Sequence, residues 1–136
     1  ARDAVKIFDA LHTIDSDRLA DAVKNEMEKQ GRNLPCFIQV NTGEETQKGG
    51  ITPKELEKLF IYCRDTAKIN VIGLMCIPPA DEVPDFHFAL LHKLSRQLGL
   101  TQLSMGMSGD FDRAIRFGAT HVRVGSALFQ TKDITP

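Results

Sequence analysis

Tryptophan is absent from the 136 residues, and tyrosine occurs once. Proteins that bind single-stranded nucleic acid use aromatic side chains as stacking platforms, so this class is not expected here. Charge is nearly balanced, with 17 basic and 18 acidic residues, which argues against a nucleic-acid or membrane-surface partner. The longest apolar runs have only the length of a strand, and the charged-then-apolar pattern of a signal peptide is not seen. We therefore expect neither a membrane span nor a secretory leader.

Cysteine is also scarce. The three cysteines, Cys36, Cys63 and Cys76, form no CxxC pair, and Cys36 and Cys76 fall inside apolar runs. A disulfide framework or a cysteine metal site is therefore not expected. The pattern is typical of small buried apolar side chains in a reducing compartment, which predicts a cytoplasmic protein.

The chain does contain a regular alternation of strand-like and helix-like segments. Apolar runs predict strands at 8–12, 35–41, 71–76, 102–105 and 121–124. Apolar spacings of three and four, with capping signals, predict helices at 17–30, from 52 onward, at 85–98 and at 110–117, after a short helical segment at 2–6. Because the strands lie too far apart for hairpins, we expect right-handed parallel crossovers. Residues 1–136 are thus predicted to form a single α/β unit.

Two strand ends carry the same combination of small and hydroxyl residues. Ser108 and Gly109 follow the fourth predicted strand, and Gly125 and Ser126 follow the fifth, which contains Arg123. Glycine lets a backbone approach a ligand closely, hydroxyls donate hydrogen bonds, and the N–H groups of a helix start favour an anion. The arginine adds a fixed positive charge. Two such ends on successive strands predict one phosphate site.

An ordinary structural role is the alternative for these residues. In the phosphate-site interpretation, Gly106 and Gly109 are positions where a Cβ atom would block the ligand. They could equally belong to a plain strand-to-helix loop capped by Ser108 or Asp110, with Arg123 on the surface of an edge strand. For Asp110 a role at the helix start is the preferred interpretation. The repetition of the pattern at both strand ends favours the phosphate site.

The place of this site in the chain separates two architectures. A doubly wound open sheet binds phosphate near its switch point, commonly after the first strand. A (β/α)8 barrel grips phosphate with the loops after its last two strands. The glycine and serine residues follow the last two of five predicted strands, so the pattern indicates the back portion of a TIM barrel.

The residues that carry this pattern also resemble a known family. They are the segments 37–41, 48–49, 73–75, 103–110 and 118–129. In this order they are similar to the pyridoxal phosphate homeostasis protein family, whose fold resembles the barrel domain of alanine racemase. The Ser-Met-Gly-Met-Ser and Val-Arg-Val-Gly-Ser runs are the most specific part of the likeness. The resemblance implies a (β/α)8 TIM barrel of the alanine racemase N-terminal type, of which residues 1–136 supply about the last five strands.

The same resemblance implies a protein that binds pyridoxal 5′-phosphate (PLP) in intracellular PLP homeostasis and catalyses no turnover reaction. Carried over position by position, Ser108, Gly109, Gly125 and Ser126 hold the phosphate. Arg123 approaches the ring nitrogen or the phosphate. The implied partners are PLP and PLP-dependent apoenzymes, and the full-length protein is expected to be a monomer.

Other positions follow from the resemblance or depart from it. Met105 and Met107 are implied neighbours of the PLP ring, although packing is the commoner role for a methionine there. In the family a lysine on the first barrel strand forms a Schiff base with the aldehyde. No segment resembles that strand, so we expect the lysine ahead of Ala1. Gln130 stands where the family usually has glycine.

Two further functions are open at this point: a PLP-dependent amino-acid racemase, and a TIM-barrel enzyme acting on a phosphorylated metabolite. A racemase needs acid–base groups on both faces of the cofactor, and the sequence offers no convincing pair. Lys48 is a candidate amine, with a solvated loop lysine as the preferred interpretation. For Asn41 and Thr42 two interpretations are open: they line the pocket, or they cap their loop. The four histidines have no metal-binding spacing: His12, His87, His92 and His121.

Overall fold

The computed structural model describes residues 1–125, and in this range five strands alternate with five α-helices. The strands are β1 (Leu11–Ile14), β2 (Cys36–Gln39), β3 (Val71–Met75), β4 (Gln102–Met107) and β5 (His121–Arg123). The helices are α1 (Arg2–Ile7), α2 (Asp17–Gln30), α3 (Leu56–Ile61), α4 (Pro84–Gln97) and α5 (Phe111–Arg116), and a π-helical segment, Tyr62–Ala67, continues α3. None of these described helices is long and apolar enough to span a bilayer.

The five strands form one parallel sheet in the order β1-β2-β3-β4-β5. A doubly wound sheet reverses its strand order at a switch point, and this sheet does not. The sheet also curls, because the ring of His12 on β1 lies 5.7 Å from the ring of His121 on β5, with three strands between them. A sheet whose strands follow one another in sequence order and which curls in this way is typical of part of a (β/α)8 barrel. The predicted fold class is confirmed.

Side chains alternate between the two faces of the curled sheet. Ile38, Leu74 and Leu103 are buried on the convex face, in a core cluster that they form with the helices. Phe37 and Met75 are equally buried but lie outside this cluster, on the concave face. Parallel strands covered on both faces read as nearly continuous apolar runs, which is why the strands were visible in the sequence.

Helix α2 follows the bounds that the sequence predicts. The Ser16 side chain accepts a hydrogen bond from the Leu19 N–H at 3.1 Å, which caps the helix start. Gly31 ends the helix in the left-handed conformation, with φ at 65°, where glycine has no steric penalty. Ala20 and Val23 are buried on its inner side.

Helix α3 begins later than predicted. The capping pattern predicts Thr52 as the N-cap and Pro53 as the first helical residue, whereas the first helical residue is Leu56. Ile51 forms a parallel bridge with Val40, and the Glu55 N–H then donates to the Thr52 oxygen at 3.1 Å in a turn. Because the chain first pairs with Val40, directly after β2, residues 52–55 are needed to turn toward the helix. The predicted inward side chains are buried: Leu56, Leu59, Phe60 and Cys63.

All five strands differ from their predicted bounds by one to three residues, and the differences at the first and fourth strands affect the site. The prediction puts the first strand at 8–12, but β1 covers Leu11–Ile14 because pairing with β2 starts where Leu11 meets Cys36. Phe8 lies ahead of the strand and is 54% exposed. β4 runs on to Met107, which pairs with Arg123 on β5. The longer strand brings the fourth and fifth strand ends together.

The three cysteines are buried and free, as predicted. Burial raises the pKa of the Cys36 thiol to about 11 and the pKa values of Cys63 and Cys76 to about 12. A thiol must ionise to act as a nucleophile. These side chains therefore act as small apolar packing groups near neutral pH.

Candidate functional site

The predicted phosphate-binding residues lie at the carboxyl edge of the sheet. Ser108 and Gly109 belong to the turn after β4, and Gly125 follows β5. Because β4 and β5 are paired neighbours, the two segments lie side by side. A Cβ atom built at Gly109 or Gly125 would meet no atom within 4 Å, so open space adjoins both backbones. Ser126 lies outside the described residues.

Gly106 has a different role from the predicted one. Its φ of +101° lies in the region that L side chains rarely adopt. A Cβ atom there would lie 2.7 Å from the Ala114 Cβ and 3.1 Å from the Phe111 Cα, both on α5. Gly106 therefore makes room for the helix and not for a ligand, and the predicted role is wrong.

Asp110 takes the position at the helix start that the sequence favoured. It is the N-cap residue of α5, and its Oδ1 accepts a hydrogen bond from the Met107 N–H at 2.8 Å. Its own N–H donates to the Met107 oxygen at 3.1 Å. Asp110 thus closes the turn that contains Ser108 and Gly109 and holds that turn in shape.

The Arg123 guanidinium reaches from β5 across β4 to the end of β3. Its Nη1 donates to the Ser104 Oγ at 2.7 Å, and its Nη2 donates to the Cys76 main-chain oxygen at 3.0 Å. Burial is the main cause that lowers the pKa of Arg123, although a guanidinium still keeps its proton. Among residues 1–125, no carboxylate lies within ion-pair distance of it. Arg123 is therefore a partly buried cation and not a surface residue; among the described residues it has no ion-pair partner, although the Asp110 carboxylate acts on it at longer range.

A hydrogen-bonded cluster lies on the concave face beside this arginine. The Nδ1 atom of His12 lies 2.7 Å from the Ser104 Oγ, and the His12 ring packs on Phe37 with centroids 4.2 Å apart. Burial, followed by the charges of His121 and Arg123, lowers the pKa of His12. Neither His12 nor Ser104 is predicted from the sequence as a site residue. The available signal was their alternation with buried apolar residues, since a polar side chain between two core positions of a strand must face the opposite side.

The two methionines that were predicted beside the PLP ring lie in different surroundings. Met105 is fully buried and belongs to the core cluster under the helices, on the face opposite Ser104. Met107 lies at the strand end and is 45% exposed. Met105 thus lies away from the concave face and packs in the core, which is the commoner role for a methionine. Met107 stays beside the candidate site.

An open cleft of about 770 Å³ adjoins the turn after β4, and Lys48 lines it together with Met107, Gly109 and the loop after β3. The Lys48 Nζ lies 3.1 Å from the Glu45 Oε1, so this amine is already paired with a carboxylate. Asn41 does not line the site, because its side chain bonds both main-chain groups of Glu45 and caps the loop. Lys48 is therefore close to the site but engaged elsewhere.

Thr42 belongs to a second buried network. His87 Nδ1 lies 3.0 Å from the Thr42 Oγ1, and His87 Nε2 lies 3.0 Å from the Glu82 Oε1. Although this order of groups resembles a nucleophile, base and carboxylate, Thr42 and His87 are each only 7% exposed. The network ties the end of β2 to α4 and does not face a substrate. Among the described residues no group of three or more His, Cys, Asp or Glu side chains could hold a metal ion.

Strand order, curl and a partly buried cation at the carboxyl edge define an α/β-barrel protein with an edge suited to an anion. The family can be stated from the sequence match. The chain belongs to the alanine racemase N-terminal domain family, whose pattern it matches over residues 1–133.

Curated relatives show which members of this family the chain resembles. The chain is 40% identical over 128 residues to the pyridoxal phosphate homeostasis protein of Aquifex aeolicus (strain VF5), and 37% identical over 138 residues to that of Schizosaccharomyces pombe. These alignments cover 88% and 95% of this chain, but 56% and 58% of the relatives. The chain therefore spans just over half the length of the curated relatives that it matches. The predicted resemblance is confirmed.

Solved structures give the same result for the fold. PipY of Synechococcus elongatus PCC7942 matches with a TM-score of 0.84 without PLP and 0.81 with PLP bound, at 33% and 32% identity. Each match covers 94% of this chain and 64% of PipY. An alanine racemase of Clostridium difficile 630 matches with a TM-score of 0.70 at 18% identity, over 94% of this chain and 35% of the enzyme, which shows the shared fold alone.

Proposed function

We propose that this chain is the phosphate-holding portion of a PLP-binding barrel that serves intracellular PLP homeostasis. The observation that carries the proposal is Arg123, a partly buried guanidinium without a carboxylate partner among the described residues, beside two turns with open glycine backbones. A cation beside main-chain N–H groups favours an anion as ligand. Relatives named for PLP homeostasis and PipY with PLP bound make PLP the preferred anion.

The residues present fit PLP by their chemistry. Ser108, Gly109, Gly125 and Ser126 would bind the phosphate through hydroxyl and main-chain N–H groups, which carry no charge that changes with pH. Arg123 would donate to the ring nitrogen or to the phosphate. When bound, PLP supplies an aldehyde that combines with amines and a ring that withdraws electrons.

Arginine at the ring nitrogen favours a carrier over an enzyme. A guanidinium donates hydrogen bonds and does not accept them, so a ring nitrogen held by Arg123 stays unprotonated. An unprotonated ring withdraws electrons poorly, which restrains carbanion chemistry. We therefore propose a non-catalytic PLP carrier that supplies PLP-dependent apoenzymes and is a monomer at full length.

The aldehyde of PLP combines with an amine, and the described lysine that lines the cleft is Lys48. Lys48 is beside the cleft but paired with Glu45 at 3.1 Å. We assign the amine to a lysine outside these 136 residues, on a strand of the same barrel. In this proposal residues 1–136 are the C-terminal portion of one PLP-binding barrel domain.

The test is a PLP titration of the natural protein that contains this sequence, followed by the absorbance of bound PLP. We expect saturable binding that inorganic phosphate weakens, because both anions would use the same turns. An assay of amino-acid inversion should give no turnover. Absence of PLP binding, or binding that phosphate leaves unchanged, would contradict the proposal.

A further inference from the structure

Ser104 is a fully buried polar residue in the middle of β4. Its Oγ lies 2.7 Å from the Arg123 Nη1 on β5 and 2.7 Å from the His12 Nδ1 on β1. Since β1 is not a neighbour of β4 in the sheet, the contact with His12 crosses the concave face. One hydroxyl group therefore joins three strands.

The chemistry of the three groups fixes the direction of the two hydrogen bonds. A guanidinium only donates, so the Ser104 oxygen accepts from Arg123. The Ser104 proton can then be donated to His12, because a neutral imidazole has one ring nitrogen that accepts. The lowered pKa of His12 keeps the ring neutral near pH 7. The hydrogen bonds thus run from Arg123 to Ser104 to His12.

The second contact of Arg123 completes its placement. Nη2 donates to the Cys76 main-chain oxygen at 3.0 Å, on the chain just beyond β3. With one N–H of each Nη atom engaged, the plane of the guanidinium is held against β3 and β4. The contacts with Ser104 and Cys76 use two of its five N–H groups.

We propose that Ser104 is a positioning residue for Arg123, and that His12 orients the Ser104 hydroxyl so that its lone pairs face the guanidinium. The inference rests on the proposed function, because Arg123 is the group that meets PLP. Ser104 itself touches no ligand in this arrangement. It holds the arginine in the one orientation from which the arginine can donate to the bound molecule.

The test is a double-mutant cycle on PLP affinity in the natural protein, with Ser104→Ala and Arg123→Ala made separately and together. Ser104→Ala should raise the Kd roughly tenfold, because a hydrogen bond to a charged group is lost. In the Arg123→Ala background the same change should alter the Kd by less than about twofold. Ser104→Thr keeps the hydroxyl and should restore most of the affinity. Gln102→Ala, on the same face of β4, is the matched control and should leave the Kd unchanged.

The cycle contradicts the positioning role if Ser104→Ala leaves the Kd unchanged or lowers affinity equally in both backgrounds. A second measurement needs no ligand. In ¹H–¹⁵N spectra the Nη signals of Arg123 should be resolved in the native protein and in Gln102→Ala, and averaged in Ser104→Ala. If the native protein binds no PLP, the proposed function fails, and these spectra still decide the role of Ser104. Arg123 signals unchanged by Ser104→Ala would overturn it.

Discussion

At the scale of single residues, Arg123 is the group most directly open to test. Replacing it with alanine removes the cation beside the glycine turns, so the Kd for PLP should rise at least about tenfold. The fold should persist, as judged by far-UV circular dichroism. Arg64→Ala is the control, because it removes an equal charge from an exposed arginine paired with Asp65. An unaltered Kd in Arg123→Ala would remove this residue from the site.

His12 gives a pH dependence of stability. Its pKa is lowered in the folded protein, mainly by burial, while the unfolded chain protonates it near the ordinary value of 6.5. As pH falls from about 7.5 through 6.5 toward the lowered pKa, the unfolded state binds more protons, and the free energy of unfolding decreases. Below both pKa values the contribution is lost.

The measurement for His12 is urea denaturation at a series of pH values. His12→Asn cannot titrate and should remove this part of the acid destabilisation, whereas His92→Asn on α4 should retain it. An identical pH profile for the native protein and His12→Asn would show that His12 does not contribute.

Some residues of the candidate site could be predicted from the sequence and others could not. Arg123, Ser108 and Gly109 were predicted because they stand in a short local pattern. His12 and Ser104 were not found, because their hydrogen bond joins positions 92 residues apart. A contact of this kind depends on the curl of the whole sheet, and no local pattern encodes it.

At the scale of elements, two glycines near the end of β4, Gly106 and Gly109, have different structural roles. Gly106→Ala should destabilise the protein by about 2–4 kcal/mol, because a Cβ atom at φ +101° would press against α5. Gly109→Ala should change the free energy of unfolding by less than about 0.5 kcal/mol, since its Cβ would meet open space. Denaturant unfolding of the two variants checks the difference. Equal losses of stability would contradict the packing role of Gly106.

Element identities were predicted well, and element ends less well. Helix α2 has its capping serine and its terminal glycine in the sequence, so both ends were predictable. The start of α3 was not, because Ile51 pairs with Val40 before the chain turns. The start of β1 depends on where Leu11 meets Cys36. Ends set by a partner strand cannot be read from one segment alone.

At the scale of the whole molecule, the sheet has two open edges within the described residues. β1 and β5 have one neighbour each, and Ile7 and Phe8 beside β1 are 68% and 54% exposed. Unpaired edges and exposed apolar side chains favour association between molecules. We therefore expect residues 1–136, expressed alone, not to be a stable monomer. Sedimentation velocity and thermal unfolding test this, and a cooperative, monomeric, PLP-binding unit would contradict it.

The fold class was predictable because alternation of strands and helices is a property of the whole sequence. The order of the sheet resolved the choice between the two architectures, and the curl followed from contacts such as that between His12 and His121. The concave face could not be predicted, because its residues come from all parts of the chain.

The strand order also has a consequence for how the chain folds during synthesis. Each strand pairs with the strand made just before it, so the sheet can grow at one edge as the chain emerges, without opening pairs already formed. The contact of Ser104 with Arg123 forms only after β5 has docked. In pulsed hydrogen exchange during refolding, amides of β2 and β3 should be protected before those of β5. The contacts that hold the arginine would then form later than the strands that precede β5, and a nascent chain would acquire its affinity for the anion only after β5 has docked.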